Sequence, residues 1–119
     1  MFKTKINVVI AGATGYVGLD LVNLLSKHPN IQIYNLCAQK NIGKKISFFD
    51  KRIKKKLPKI TKINSVKWNN VDLLFLSLPN GEAQKLINKL FNKYKRLKFI
   101  DLSADFRLQN ANNYKKYYN

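Results

Sequence analysis

The chain has 119 residues, 45% of them hydrophobic, and carries 23 Lys and Arg against 6 Asp and Glu, a formal charge of +17. That length and apolar fraction suit one domain with one sizeable core. They exclude a membrane-spanning helix, since the longest apolar runs are of strand length against the roughly 20 residues such a helix needs, and no secretory signal precedes Gly12.

Taken in chain order, Ile6–Ala11 is a near-continuous apolar run rich in β-branched residues, as expected of a strand buried on both faces. Tyr16–Ser26 places Val17, Leu21, Leu24 and Leu25 at helical spacing and is followed by Pro29. Ile31–Cys37 is a second strand, with Ile31, Ile33, Tyr34 and Leu36 as inward candidates. Residues 41–70 are less regular, with an apolar pair at Phe48 and Phe49 and a short strand expected at residues 66–68. Residues 71–78 form the most hydrophobic strand, residues 82–93 a helix with Ala83, Leu86, Ile87, Leu90 and Phe91 on one face, and residues 99–102 a further strand. Strands separated by helices of this length imply βαβ crossovers and a parallel sheet between two helical layers. Residues 110–119 are polar and tyrosine-rich and begin an element that they do not finish.

Cys37 is the single cysteine, so no internal disulfide can form, and a reducing, cytoplasmic setting is expected. The basic residues are spread along the whole length among many asparagines and isoleucines. Only Lys51, Arg52, Lys54, Lys55 and Lys56 form a compact run, and no aromatic residues alternate through it as a stacking surface for nucleic acid would require. A solvated basic loop is the expectation there, with a phosphate or nucleic-acid contact as the alternative.

The strongest motif is Gly12-Ala13-Thr14-Gly15-Tyr16-Val17-Gly18, which follows the first strand and opens the first helix. A loop in that position aims backbone N–H groups and the positive end of a helix dipole at whatever lies above the sheet, and a pyrophosphate suits both. Gly12 is expected to permit the tight turn, Gly15 to let the ligand reach the backbone, and Gly18 to let the helix pack closely, while Thr14 offers a hydroxyl. The fold expected is α/β, a Rossmann-type doubly wound parallel sheet in three layers, incomplete at the C-terminus. Where an NAD site usually has Asp or Glu after the second strand, this chain has Cys37-Ala38-Gln39-Lys40. A cation and no acid favours NADP, with Lys40 either contacting the 2′-phosphate or standing as one more surface lysine.

Two further segments, Leu76-Ser77-Leu78-Pro79-Asn80-Gly81 and Ile100-Asp101-Leu102-Ser103-Ala104-Asp105-Phe106-Arg107-Leu108, close the later strands. Together with the glycine turn they resemble the N-acetyl-γ-glutamyl-phosphate reductases over essentially the whole chain. The resemblance implies NADPH-dependent reduction of an N-acetyl-glutamyl 5-phosphate to the 5-semialdehyde with release of phosphate, in arginine biosynthesis. Relatives acting on aminoadipyl or aspartyl substrates are the alternative. It also implies a cytoplasmic enzyme that forms homo-oligomers when full length, takes a small acyl phosphate and has no membrane partner. Pro79, Asn80 and Gly81 would shape a loop against the cofactor, or be an ordinary strand-to-helix turn with Asn80 near the N-cap. By similarity to the sister aspartate-semialdehyde dehydrogenases, Arg107 would hold the substrate phosphate, the alternative being a surface arginine paired with Asp105. Ser103 and Asp105 would shape that loop.

The implied chemistry needs a cysteine nucleophile and a histidine. Cys37 lies beside the adenosine end, where a core thiol is expected, and His28, the only histidine, falls at a helix end, where its cation would complement the dipole. The chain, residues 1–119, is therefore expected to be the amino-terminal dinucleotide-binding domain of such an enzyme, without its substrate and dimerisation domain, and inactive alone. A Tyr-x-x-x-Lys pair, Tyr94 and Lys98, matches a different class of reductase, but a helix end and a strand start would not put both side chains on one face.

Overall fold

The computed structural model describes residues 5–79 and 81–102. Five strands run parallel in one sheet: β1 (Ile6–Ala11), β2 (Ile31–Cys37), β3 (Ile60–Thr61), β4 (Leu73–Leu76) and β5 (Lys98–Asp101), in the spatial order β3-β2-β1-β4-β5. Helices α1 (Tyr16–Ser26) and α2 (Glu82–Phe91) complete the regular elements. The chain builds outward from β1 through β2 to β3, then returns across β1 to lay down β4 and β5. The α/β class and the parallel sheet are as expected.

Alternation along the central strand creates two cores. Val8 and Ile10 face the layer that holds Val22 and Leu25 of α1, together with Ile33, Leu36, Ile46, Ile53 and Ile60. Val9 and Ala11 face the other layer, where Leu74, Leu76 and Trp68 meet Ala83 and Leu90 of α2. Each fully buried Val, Leu or Ile removes enough apolar surface from water to contribute about 1.5–3 kcal/mol, and β1 supplies both faces at once. The register between β1 and β2 shifts between Val8 and Val9, which pair with Ile33 and Asn35 and skip Tyr34. This bulge reverses the alternation of β2, so that Ile31, Ile33 and Leu36 pack on the α1 side while Tyr34 and Cys37 pack on the α2 side. Tyr34 is thus half-buried on the face opposite to its expected neighbours.

Several boundaries differ from the expectations, each for a local reason. In α1 the buried residues are Gly18, Val22, Leu25 and Ser26, and Leu24 is 67% exposed. Gly18 fixes the line along which the helix touches the sheet, Val22 and Leu25 follow it at helical spacing, and Leu24 falls about 240° round from Gly18. α2 ends at Phe91, itself exposed, because the N–H groups of Lys93 and Tyr94 both turn back to Leu90 C=O, at 3.2 and 2.9 Å. β4 is shorter than residues 71–78: Val71 closes a turn on Trp68 C=O, and beyond Leu76 only the Ser77 N–H continues the ladder, to Ala11 C=O at 2.9 Å. β5 starts one residue earlier than expected, at Lys98.

The strand expected at residues 66–68 is absent. Val66 and Trp68 instead plug the core beneath α2, with Trp68–Asn70 in a 3-10 turn. The strand on the β2 edge of the sheet is instead Ile60–Thr61, two residues that pair with Leu36 and Cys37. The basic run lies exposed, as expected of a solvated loop, and is anchored by buried Ile53. Arg52 is held there by ion pairs to Asp50 and Asp20, at 2.6 and 2.7 Å, and its guanidinium keeps the Asp50 carboxyl below the usual carboxylate range.

Candidate functional site

A cleft of about 760 Å³ opens at the carboxyl ends of β1, β2 and β4, over the point where the chain reverses its direction of growth. Ligands of open α/β sheets bind in this position, and the volume lies within the range of small-molecule sites. The glycine turn forms one wall, the segment after β2 another, and the segment after β4 a third.

The three glycines of the turn have separate physical reasons. Gly12 has φ +81°, and a Cβ added there would lie 1.9 Å from the Ser77 carbonyl oxygen. Gly18 has an ordinary φ, yet its Cβ would lie 2.1 Å from Gly12 O, so the first turn of α1 closes directly onto the loop. Gly15 meets neither limit. Its φ is −75° and ψ 171°, it is exposed, and the nearest atom to an added Cβ, Gly12 O, is at an ordinary 3.7 Å. The fold therefore requires Gly12 and Gly18 and leaves the glycine at 15 without a packing reason.

The donors of the turn are likewise divided. The Gly12 and Ala13 N–H groups both donate to Cys37 C=O, at 2.9 and 3.1 Å, which locks the turn to the end of β2. Ala13 is buried, and these two residues shape the loop. Gly15 caps α1 without any side-chain acceptor, and among the described residues the first α1 amide with a backbone acceptor is that of Leu19, on Gly15 C=O at 2.8 Å. The amides of Tyr16 and Val17 precede it and remain as donors at the helix start, where the dipole favours an anion. Thr14 is half-buried and lines the cleft. The Tyr16 side chain is 93% exposed, while Val17 is half-buried.

On the opposite wall Pro79 lines the cleft, and Gly81, at φ +79°, is the N-cap of α2, a conformation that favours glycine although an added Cβ would meet open space. Asn80 lies outside the described residues, as do Ser103, Asp105 and Arg107. Lys40 lines the rim after β2. Sequence reasoning missed its companions Lys62, Lys85 and Lys89, which line the same cleft, and the acid Glu82. Lys62 follows β3, so the missed two-residue strand hid it; Lys85 and Lys89 were legible as the helical neighbours of Glu82 once the helix start was placed at the cleft. Four ammonium groups around one carboxylate give the cleft a field that draws anions.

Cys37 is buried, its Sγ 3.8 Å from Thr61 Oγ1, and burial pushes its thiol up to about 11. Burial thus disfavours the thiolate that a nucleophile requires. His28 lies past the end of α1, and its Nδ1 accepts from the Asn30 N–H at 3.1 Å. Tyr94 packs beside a separate hollow of about 200 Å³ with Trp68 and Leu86, and Lys98 opens the edge strand β5, so the two do not form a proton-donor pair on one helix.

The chain matches the family model described as semialdehyde dehydrogenase, NAD binding domain, over residues 7–115. It is 40% identical over 116 residues to the N-acetyl-gamma-glutamyl-phosphate reductase of Ehrlichia ruminantium (strain Gardel), covering 96% of this chain and 33% of that protein. It is 38% identical over 113 residues to the reductase of the same name from Brachyspira hyodysenteriae, covering 95% and 32%. The chain thus spans about a third of the length of the curated relatives it matches. Among solved structures, the aspartate semialdehyde dehydrogenase with NADP from Candida albicans aligns with a TM-score of 0.64 at 25% identity, covering 87% of this chain and 31% of that one. A glycine turn between buried strand and helix, an anion-attracting cleft at the switch of a parallel sheet, and a family match over nearly all the chain agree: this chain belongs to the semialdehyde dehydrogenase NAD-binding domain family.

Proposed function

We propose that the cleft binds NADPH, and that residues 1–119 are the dinucleotide-binding domain of an N-acetyl-γ-glutamyl-phosphate reductase of arginine biosynthesis. The observation that carries the nucleotide is Gly15: an exposed glycine with no packing reason, at the uncapped start of a helix, is what close approach of a pyrophosphate to the backbone requires. The similarity to proteins named as that reductase supports the substrate.

In this reading the amides of Tyr16 and Val17, with the Thr14 hydroxyl, hold the pyrophosphate, while Gly12, Ala13 and Gly18 keep the turn in shape. Lys40 and Lys62 attract the 2′-phosphate at the end of the cleft that lacks an acid on β2. Pro79, Asn80 and Gly81 border the cofactor, and Arg107 takes the substrate phosphate through its planar fork. When bound, the nicotinamide supplies a hydride. Acyl phosphate, NADPH and one proton become aldehyde, NADP and inorganic phosphate. Cys37 and His28 take no covalent part, and the nucleophile and base belong to a further region of the enzyme. A small-molecule substrate, a cytoplasmic location and homo-oligomeric assembly of the whole enzyme complete the proposal.

Titration of the folded protein with NADPH tests it. A saturable change in nicotinamide fluorescence, reversed by NADP, is expected. Unchanged fluorescence with well-folded protein overturns the proposal, and salt-dependent retention on nucleic acid that NADPH does not relieve would favour a nucleic-acid-binding domain instead.

A further inference from the structure

Glu82 is the one carboxylate among the described residues that line the cleft. It belongs to α2, yet its Oε2 accepts a hydrogen bond from Gln39 Nε2 at 3.0 Å. Gln39 lies two residues beyond the end of β2, the place from which an acid ordinarily reads the ribose hydroxyls of a dinucleotide. The sequence puts an amide there, and the fold brings an acid to it from 43 residues away, across the mouth of the cleft. Lys40, next in sequence to Gln39, and Lys62, which follows the strand paired with the end of β2, line the same cleft.

We propose that Glu82, positioned by Gln39, limits how strongly this site prefers the 2′-phosphorylated cofactor. The inference rests on the dinucleotide reading of the cleft. A free ribose 2′-hydroxyl can donate to the Glu82 carboxylate, which favours NADH. A 2′-phosphate carries more than one negative charge at neutral pH and is opposed by the same carboxylate while the lysines attract it. One group thus acts with opposite sign on two ligands that differ only at that position. The contribution of Glu82 to the start of α2, where an acid complements the dipole, is common to both ligands and cancels in their ratio.

The test is the ratio of NADH to NADPH dissociation constants, measured by fluorescence titration of the intact protein and its Glu82→Gln and Glu82→Lys variants. Glu82→Gln keeps the size of the side chain and removes its charge. It is expected to tighten NADPH and weaken NADH, raising the ratio about fivefold, and Glu82→Lys is expected to raise it further. The NADPH gain should shrink in high salt, because it is electrostatic. Ratios within twofold of the parent for both variants overturn the proposal while leaving the cofactor assignment intact. A folded parent that binds neither dinucleotide overturns the cofactor assignment, and this inference with it.

Discussion

Two connections lead away from neighbouring strands and are built on different principles. Between β1 and β2 the chain makes one tight turn and an 11-residue helix, which buries a stripe through the repeat of Gly18, Val22 and Leu25. Between β2 and β4 the described chain forms no α-helix. It covers both sheet faces with single side chains, Ile46 and Ile53 on one side and Val66 and Trp68 on the other. Short turns hold these in place, such as Phe49 N–H to Ile46 C=O at 2.9 Å and Val71 N–H to Trp68 C=O at 3.1 Å. The first connection begins with the glycine turn at the cleft, and the second carries Lys40 and Lys62 to the rim of the same cleft. In the proposed reading, the turn that would meet the pyrophosphate stands on the regular connection, and the two lysines proposed to attract a 2′-phosphate stand on the irregular one.

The largest expected effect breaks the regular connection. Gly12→Ala places a methyl on the Ser77 carbonyl at a φ that L side chains rarely adopt, and no flexible side chain can yield. A loss of about 4 kcal/mol, or failure to fold, is expected in urea denaturation. A stable variant would show that β4 can move away from the turn, and so that this connection is less constrained than its geometry implies.

The next effect asks whether the irregular connection is equally part of the core. Ile53 is buried and sits in the middle of the basic run, with exposed cations on either side. Ile53→Ala is expected to cost about 3 kcal/mol, as a core truncation does, whereas a loop residue without a packing role would cost under about 0.5 kcal/mol. The same denaturation measurement separates the two values. The larger value would place residues 38–72 on the same footing as α1 despite their lack of regular structure.

That contrast also explains what could be read from the residues. Ile6–Ala11, Tyr16–Ser26 and Ile31–Cys37 agree with β1, α1 and β2 at both ends, because long apolar periodicity is bounded there by Gly12, Gly15 and Pro29. The helix face was less legible: Leu24 suits an apolar stripe by spacing, but the rotation of α1 is set by a glycine, which adds nothing to a hydrophobic pattern. Beyond Cys37 the pattern has no period. β3 is too short to alternate, and the apolar Val66 and Trp68 are plugs and not a ladder. The glycine turn was visible because its chemistry is local in sequence. Glu82 beside Gln39 was not, because 43 residues separate them and only the parallel pairing of β1 with both β2 and β4 brings them together.

The smallest effect on stability carries the most information about function. Gly15 has a backbone conformation open to any residue, and an alanine methyl would touch only Gly12 O at van der Waals distance. Replacing a glycine in such a conformation restricts the unfolded chain and stabilises by roughly 0.4–1 kcal/mol, while alanine is a poorer N-cap than glycine by a comparable amount. The two terms offset, and Gly15→Ala is expected to unfold within about 0.5 kcal/mol of the parent. In the proposed reading its methyl would nevertheless crowd a pyrophosphate that approaches the amides of Tyr16 and Val17. A loss of NADPH affinity of about tenfold or more is therefore expected in a protein of unchanged stability. Unchanged affinity would show that the ligand does not approach the turn. Gly15 would then be glycine for no reason that either folding or binding supplies, and the contrast with Gly12 and Gly18, which the fold itself demands, would no longer locate the site.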